Sequence, residues 1–421
     1  MSQDFRHCRR RKSVLPWLPI AILAFGNPAT LLPAADWPQW RGPNRNGVAA
    51  EKLDLSEWPE DGPPRVAWRA EVGKGHAAVS VLGGRAYTLG WDGSRDTVVC
   101  LDAADGKPLW KQSYDCKTIV QWPGPRATPN VADDAVYTLG QWGQLCAWNA
   151  ATGEPVWSRQ LDERCNPDID YGFSSSPLLT GELLVLGYGR KGLAVRTKDG
   201  EIAWGDDGQR GACTSPVPIV VDGKPAAIVM HTNEGRTAVE LVGIETASGK
   251  ELWRSPPWRE QWGAACVDPL YDDGKVFVTT AEQFRRAGRF SIEDGRVEED
   301  WSTDRFAGYT GGCVLLEECI YGVDGGGMLT CIGWDDGEVR WTQRGFGERG
   351  SLIAAGDLLL IQTGHSGELV VAAAEQDGYR ELRRAKLFTG DPATFTAPVL
   401  AGERIYCRSY EGEVVCVECG R

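Results

Sequence analysis

Apolar and polar positions along the chain recur in one repeating unit from about residue 64 onward. In most units a turn glycine is followed four residues later by tryptophan, as in DGKPLW, TGEPVW, DGEIAW, SGKELW and DGEVRW, and DGRVEEDW is a longer variant. With one tryptophan further upstream, the series is Trp68, Trp110, Trp157, Trp204, Trp253, Trp301 and Trp341. Their spacing of 40 to 49 residues suits four short strands with their turns, which predicts the blades of a propeller.

A second landmark marks the start of each unit. An opening residue, often proline, precedes a β-prone residue by eight positions in seven units, and the unit at Pro216 has an insertion around VVDGKPAA instead. The openings are Val79, Pro129, Pro177, Pro216, Pro269, Cys313, Ile353 and Pro398. Eight openings predict eight blades. Seven blades are the alternative if the irregular seventh unit, with Leu382 at the tryptophan position, merges with a neighbour.

The two ends of the repeat complement each other. The last unit reaches residue 421 without a fourth strand, whereas an orphan strand around Trp68 precedes the first unit. We therefore predict an all-β, eight-bladed β-propeller over residues 64–421, with four-stranded antiparallel blades and the N-terminal strand closing the last one. The tryptophans would dock successive blades, each burying roughly 150–250 Å². We expect a weaker contact between blades at Leu382.

The N-terminal segment predicts export. Arg9 and the basic residues after it precede an apolar run from Val14 to Phe25, and small residues follow at Ala34 and Ala35. We interpret residues 1–35 as a signal peptide and residues 36–63 as a lead-in to the propeller. The alternative is an uncleaved anchor, but the run is too short for a stable membrane span. The protein is thus expected in the periplasm, in the cell envelope or outside the cell.

Charge narrows the choice of partner. The formal net charge is −13, and removal of residues 1–35 takes away five basic residues and one acidic residue, which gives −17. A surface of this sign repels phosphate backbones, so nucleic acid is not expected to bind. We expect a monomer whose partner is a protein or a polymer of the envelope.

Several of the thirteen cysteines are interpreted as packing residues. Cys100 and Cys331 lie six residues before a turn glycine, and the same position holds Ala147, Ala194 and Gly243 in other units. A position shared by these types requires small size rather than thiol chemistry.

One cysteine pair is a disulfide candidate. If Glu411 and Gly412 form a two-residue hairpin turn, Cys407 lies directly opposite Cys416, where a cross-strand disulfide is predicted to be strained. The alternative is two free thiols. The spacing of Cys416 and Cys419 is also found in redox and metal motifs, but we interpret this segment as a terminal strand.

The segments CLDAADGKPLW and AWNAATGEPVW resemble the docking motif of pyrroloquinoline-quinone repeat propellers. This group includes quinoprotein alcohol dehydrogenases and a non-enzymatic lipoprotein of outer-membrane assembly. The segment DWPQWRGPNRNGVAAE is similar to the lead-in of exported propellers of this kind. The resemblance covers roughly residues 36–421 and implies the fold more strongly than an activity.

Two classes of function follow from the resemblance. The dehydrogenases hold pyrroloquinoline quinone with a calcium ion, a catalytic aspartate and typically a disulfide between adjacent cysteines. No two cysteines are adjacent in this chain, and no aspartate or glutamate set can be carried over for calcium. We therefore expect no catalytic residue, metal or cofactor. A quinone- and calcium-dependent alcohol or sugar dehydrogenase is kept as the alternative, beside a purely structural module of a larger envelope assembly.

A binding surface is the favoured interpretation. In propellers the connections between blades gather around one mouth of the central channel, and aromatic residues and arginine are enriched at recognition hot spots. The candidates on these connections are His76, Trp122, Arg126, Tyr171, Arg210, Trp262, Tyr309, Arg349 and Phe395. We hypothesise that this face binds a protein segment or an extended polymer such as a glycan.

Overall fold

The structure is a computed structural model that describes residues 36–117, 121–132, 134–161, 172–205, 213–232, 238–259, 266–280, 286–390 and 392–420. The predicted signal peptide, residues 1–35, lies outside these ranges. All the secondary-structure elements within these ranges are β-strands, and they form eight antiparallel sheets. The predicted eight-bladed propeller is confirmed, and the seven-bladed alternative is wrong. No helix within these ranges could span a bilayer.

Blades 1 to 4 follow the chain in order. Blade 1 contains β2 Ser80–Leu82, β3 Arg85–Trp91, β4 Arg95–Asp102 and β5 Pro108–Asp115. Blade 2 contains β6 Asn130–Ala132, β7 Ala135–Leu139, β8 Gln144–Asn149 and β9 Pro155–Gln160. Blade 3 contains β10 Leu178–Thr180, β11 Leu183–Leu186, β12 Leu193–Arg196 and β13 Ile202–Trp204. Blade 4 contains β14 Val217–Val221, β15 Lys224–Thr232, β16 Ala238–Glu245, β17 Lys250–Arg254 and β18 Trp258–Arg259.

Blades 5 to 8 complete the ring. Blade 5 contains β19 Leu270–Asp272, β20 Lys275–Thr280, β21 Arg286–Glu293 and β22 Arg296–Thr303. Blade 6 contains β23 Val314–Leu316, β24 Cys319–Val323, β25 Met328–Gly333 and β26 Val339–Arg344. Blade 7 contains β27 Ser351–Ala355, β28 Leu358–Gln362, β29 Glu368–Ala373 and β30 Arg380–Lys386. Blade 8 contains β31 Val399–Leu400, β32 Arg404–Arg408, β33 Glu413–Glu418 and β1 Val66–Glu71.

Closure of the ring follows the sequence prediction. Strand β1 pairs antiparallel with β33, and Trp68 lies opposite Cys416. Seven of the eight predicted openings directly precede the first strand of their blade, whereas Ile353 lies inside β27. Blade 4 departs from the four-strand rule because Pro256 and Pro257 interrupt its outer strand. The two pieces, β17 and β18, both pair with β16.

Tryptophan docking joins most neighbouring blades. The indole of Trp110 packs on Gly153 of the next blade and donates from Nε1 to the carbonyl of Ala150 at 3.0 Å. Trp68, Trp157, Trp204 and Trp301 make the same pair of contacts with the following turn. Trp341 donates in the same way to Glu375. Trp253 is instead buried in an apolar cluster shared by blades 4 and 5.

The small residues of the third strand face these tryptophans. In the blades that have a docking tryptophan, it lies directly opposite that position, as in Cys100 with Trp110 and Gly243 with Trp253. A Cβ added to Gly243 would lie 2.2 Å from the Trp253 ring. Blade 5 has Arg289 opposite Trp301, which the sequence pattern did not anticipate.

The docking turn can be tested with two glycines of matched backbone. Gly153 has φ +74°, and an added Cβ would lie 2.6 Å from Trp110. Gly223 has φ +73° with open space around it. We expect Gly223→Ala to lower the free energy of unfolding by about 1–2 kcal/mol through backbone strain alone. Gly153→Ala should cost about 1–3 kcal/mol more, because the neighbouring blade must move. If urea titrations showed the same loss of unfolding free energy for Gly153→Ala and Gly223→Ala, the docking contact would be contradicted.

The seventh blade has no tryptophan at the docking position. The predicted residue there, Leu382, is wrong by one position, because Arg383 pairs with Val371 where the other blades place tryptophan. Leu382 is half-buried, and Arg383 donates from Nε to the carbonyl of Trp58 at 3.0 Å. Trp58 belongs to the lead-in and is buried in the apolar cluster that joins blades 7, 8 and 1. The expected weakness of the blade contact at Leu382 stays a prediction.

The predicted register of the last hairpin is wrong. Cys407 pairs with Val415, and Tyr406 pairs with Cys416. The turn is one residue longer than the two-residue turn assumed, and a shift of one position moves a side chain to the other face of the sheet. Cys407 and Cys416 therefore point to opposite faces, and both are free thiols in the structure.

The loops open on two faces of the propeller. We call the face that carries the connections between blades, and the turns between second and third strands, the channel-mouth face. The other turns lie on the opposite face, since successive strands are antiparallel. The lead-in enters from the opposite face, where Asp36 accepts a hydrogen bond from Gly83 and Lys52 packs against Gly356.

The lead-in crosses the central channel. It bonds to strands, turns or strand openings of seven blades: Trp37 with Val81, Pro38 with Val131, Arg45 with Ser176 and Pro177, Trp40 with Asp268, Arg41 with Cys313, Ala49 with Ala354 and Asp54 with Gly420. These partners surround the propeller axis. The lead-in thus fills the channel from the opposite face.

Two arginines of the lead-in are buried with one carboxylate. Arg41 and Arg45 are 6% and 2% exposed, and Asp268 is 7% exposed. Burial lowers the pKa of Arg41 and lowers that of Arg45 to about 10, while the charge of Asp268 opposes both changes. Asp268 also accepts hydrogen bonds from the Trp40 indole and from the Ser215 amide. Hydrogen bonds from Arg41 to Cys313, from Arg45 to Ser176 and Pro177, and from Trp40 to Asp268 hold the lead-in inside the ring.

Candidate functional site

Four aromatic side chains pack together on the channel-mouth face. They are His76 between blades 8 and 1, Trp122 between blades 1 and 2, Phe395 between blades 7 and 8, and Tyr410 in the last hairpin turn. Ring centroids lie 4.5 Å apart for His76 and Phe395, and 5.1 Å apart for Trp122 and Phe395. Tyr410 lies 5.2 Å from Trp122. We call these four residues with Arg349 the mouth cluster.

Arg349 adds a cation to these rings. It comes from the connection between blades 6 and 7, and its guanidinium carbon lies 4.9 Å from the Trp122 ring and 5.2 Å from the Phe395 ring. Cation–π attraction favours this placement. Its Nη1 lies 2.7 Å from Glu348 Oε1 and 3.1 Å from His365 Nε2. Connections several blades apart thus meet at one mouth of the channel.

The loop that carries Trp122 is held in an unusual conformation. Trp122 has φ +49°, a left-handed value that is costly for a large side chain. Its carbonyl accepts hydrogen bonds from His76 Nε2 and from Arg126 Nη2, both at 3.0 Å. Tyr410 donates to the carbonyl of Pro123 at 3.0 Å. These bonds keep the Trp122 indole at the surface, where it is 38% exposed.

Arg126 shapes this loop. Its guanidinium donates to the carbonyls of Gln121, Trp122 and Gly124 at 3.0–3.2 Å. A side chain engaged with three carbonyls of its own loop is a positioning residue. Its contribution to a ligand site is therefore to hold Trp122.

Positive charge surrounds His76. Burial lowers the pKa of His76 well below its ordinary value, and the charges of Arg126, Arg408 and Arg349 lower it further. His76 is accordingly neutral at pH 7, and its protonated form would join three guanidinium groups. A local excess of arginine contrasts with the net charge of −13 of the whole chain.

Arg408 lies beneath the cluster and joins the closing blade to the first. It is 2% exposed and donates to the carbonyls of Ala77 and Gly73 and to the Thr88 hydroxyl. Burial lowers its pKa to about 9. The mouth cluster is therefore built directly over the seam where the ring closes.

The structure brings together five of the nine candidate residues named from the sequence. His76, Trp122, Arg126, Arg349 and Phe395 belong to the mouth cluster or its supporting loop. Tyr309 lies beside Gly325 in blade 6. Tyr171, Arg210 and Trp262 lie outside the described residues. Tyr410 was missed because it occupies a turn within a blade, although such turns open on the same face.

A cleft on the opposite face has a different character. It has a volume of about 850 Å³ and follows the seam between blades 8 and 1. Charged residues of both signs line much of it, including Asp36, Arg65, Glu403 and Glu418. Within the described ranges, no group of three or more His, Cys, Asp and Glu residues is placed to hold a metal ion.

One family model matches most of the propeller. It is described as outer membrane protein assembly factor BamB, and it matches residues 61–206 and again residues 94–343. Together these matches cover more than half of the chain.

Two curated relatives match at lower coverage. The quinoprotein alcohol dehydrogenase PedH of Pseudomonas putida is 27% identical over 178 residues, which is 40% of this chain and 28% of that protein. The quinohemoprotein alcohol dehydrogenase ADH IIB of Pseudomonas putida is 24% identical over 192 residues, 42% of this chain and 24% of that protein. The matches span about a quarter of the length of these relatives.

Solved structures share the fold. BamB from Moraxella catarrhalis has a TM-score of 0.62 at 13% identity, and the match covers 84% of this chain and 99% of that chain. Quinohemoprotein alcohol dehydrogenase from Comamonas testosteroni has a TM-score of 0.67 at 12% identity, covering 91% and 80%. At such identities the likeness concerns the fold alone.

Proposed function

Because the chain belongs to the family of pyrroloquinoline-quinone-like β-propeller repeat proteins, we propose that it is an exported, non-catalytic scaffold. Its ligand is a protein segment or a polymer of the cell envelope, bound at the mouth cluster. The single observation that carries the proposal is the meeting of Trp122, Phe395 and Arg349 from separate connections. Fold alone would not support it.

The architecture directs a ligand to this face. The lead-in fills the channel from the opposite face, which leaves the channel-mouth face for an approaching partner. Tryptophan and arginine are the residue types that most often carry binding energy in protein interfaces. A partly exposed indole held by a left-handed backbone is costly to build, which fits a functional role.

The N-terminal segment and the family description support the location and the partner class. The basic and apolar N-terminal segment and the family description both favour the periplasm or the envelope. We propose a protein of this compartment as the first partner to seek, with nucleic acid excluded by charge. The protein is proposed to act as a monomer.

Partner capture from envelope extracts tests the proposal. We expect the triple variant Trp122→Ala, Arg349→Gln, Phe395→Ala to lose at least tenfold of the captured partner while its thermal unfolding stays near wild type. The physical reason is that these side chains are partly exposed and offer the contacts a partner would use. The measurement is quantitative mass spectrometry of the retained proteins and glycans.

A matched control uses exposed apolar residues away from the mouth. Leu109 and Val156 are 47% and 58% exposed on outer strands of blades 1 and 2. The double variant Leu109→Ala, Val156→Ala should capture the same partner as wild type. The proposal is wrong if the triple variant keeps full capture, or if the control loses it equally.

The quinone-dependent dehydrogenase remains a second candidate because two relatives carry that activity in their names. The sequence has no adjacent cysteines to form the disulfide that these dehydrogenases typically place against the quinone. Within the described residues, no group of three or more acidic, histidine and cysteine side chains is placed to hold a metal ion. Titration with pyrroloquinoline quinone and calcium, followed by dye-linked oxidation of alcohols and sugars, separates the two functions. Stoichiometric binding with turnover would favour the dehydrogenase.

A further inference from the structure

We propose that Arg349 is a receptor for one carboxylate, carried by an acidic side chain or the C-terminus of the bound protein segment. The inference rests on the proposed function and specifies the chemistry of its ligand.

One edge of the guanidinium group is occupied. Nη1 of Arg349 is engaged with Glu348 and His365, and the planar face lies against Trp122 and Phe395. Neither Nε nor Nη2 of Arg349 donates a hydrogen bond to any described residue. The side chain is 14% exposed, so it is largely fixed without being sealed. A fixed guanidinium with two parallel donors unused is suited to bidentate binding of a carboxylate.

The surroundings favour a single negative group. Arg126 and Arg408 supply further positive charge near His76, but Nη1 and Nη2 of both bind backbone carbonyls and a hydroxyl. Arg349 is thus the cluster arginine with an unused pair of donors. The aromatic rings beside it would contact an apolar group next to the carboxylate.

A polyanion fits less well than a peptide. Glu348 and Glu411 flank the cluster and already pair with Arg349 and with Lys74, and the chain as a whole carries a net charge of −13. Each further carboxylate of a uronate polymer would meet this repulsion without an arginine of its own. One acidic group beside an apolar side chain, as in a protein segment, avoids that cost.

Selection from a library of displayed random peptides tests the inference without knowledge of the partner. Against the wild-type protein we expect enrichment of peptides with Asp, Glu or a free C-terminus next to an apolar residue. Changing the acidic residue to its amide should weaken binding of a selected peptide at least tenfold. Arg349→Gln should remove this discrimination, and Arg349→Lys should restore only part of it, because lysine lacks the planar fork.

Controls separate charge from geometry and from folding. Arg296→Gln removes one positive charge from an exposed position on blade 5 and should leave the discrimination unchanged. Thermal unfolding of every variant is measured in parallel. Enrichment of neutral or basic peptides, no enrichment over Arg349→Gln, or tighter Arg349-dependent binding of oligogalacturonate on a glycan array would overturn the inference.

The two experiments separate an error in the carboxylate assignment from an error in the proposed binding face. If the triple variant loses partner capture while selected peptides show no acidic preference, the carboxylate assignment falls and the binding face stands. If the triple variant captures its partner normally, the proposed function itself falls.

Discussion

Asp268→Asn is expected to lower the free energy of unfolding by about 3–5 kcal/mol, the usual cost of removing one partner from a buried charge cluster. Arg41 and Arg45 would remain buried among carbonyls with no opposing carboxylate. The amide keeps the size of the side chain but cannot accept from both the Trp40 indole and the Ser215 amide. Urea titration followed by circular dichroism measures the loss.

Two comparisons isolate the charge. Asp115→Asn removes a carboxylate from an exposed pair with Arg95 and should leave the urea midpoint unchanged. In the Arg45→Met background, Asp268→Asn should cost less than in wild type, because one of the two stranded guanidinium groups is gone. A wild-type urea midpoint for Asp268→Asn would show that the carboxyl group is not the counter-charge of the lead-in.

Trp68→Ala should be nearly as damaging, with a loss of about 3–5 kcal/mol. Trp68 is 7% exposed, packs on Gly106 of blade 1 and donates to Ala103 at 3.0 Å. It is also the docking residue of the strand that closes the ring. Its removal leaves a cavity between blades 8 and 1 and weakens the contact that closes the ring.

A series at the same position and at another blade checks this. Trp68→Phe keeps an aromatic ring and should cost less than Trp68→Ala, while losing the hydrogen bond worth about 1 kcal/mol. Trp341→Ala removes a docking tryptophan that is only half-buried, so its cost should be smaller. If Trp68→Ala and Trp341→Ala lowered the free energy of unfolding equally, the contact at the ring closure would be no more important than the other contacts between blades.

The sequence predicts the fold because its signals are local and repeated. The four-residue step from turn glycine to tryptophan reflects one contact, the docking of an indole on the next turn, made again from blade to blade. Because the pattern repeats, the lack of a fourth strand in the last unit and the extra strand at Trp68 stand out, and together they predict the pairing of β1 with β33 that closes the ring. The length of a single turn is not repeated along the chain, so the sequence does not fix it. For this reason the predicted pairing of Cys407 is wrong by one residue.

The site could be predicted only in part. Its connections were found from their place in the repeat, so His76, Trp122, Arg349 and Phe395 could be named. Their mutual contacts depend on how far each connection reaches across the channel, which no periodicity records. The same holds for Arg45, whose partners Ser176 and Pro177 lie more than a hundred positions away in the chain. The lead-in that fills the channel was accordingly not anticipated.

A partner bound over the mouth cluster would lie within crosslinking distance of residue 395. The most direct test replaces Phe395 with the photo-crosslinking residue p-benzoylphenylalanine in cells that produce the protein, with Val156 as the matched position on an outer strand. We expect a discrete crosslinked product from position 395, absent from position 156 and reduced by Arg349→Gln. The same product from both positions, or none from position 395, would contradict it.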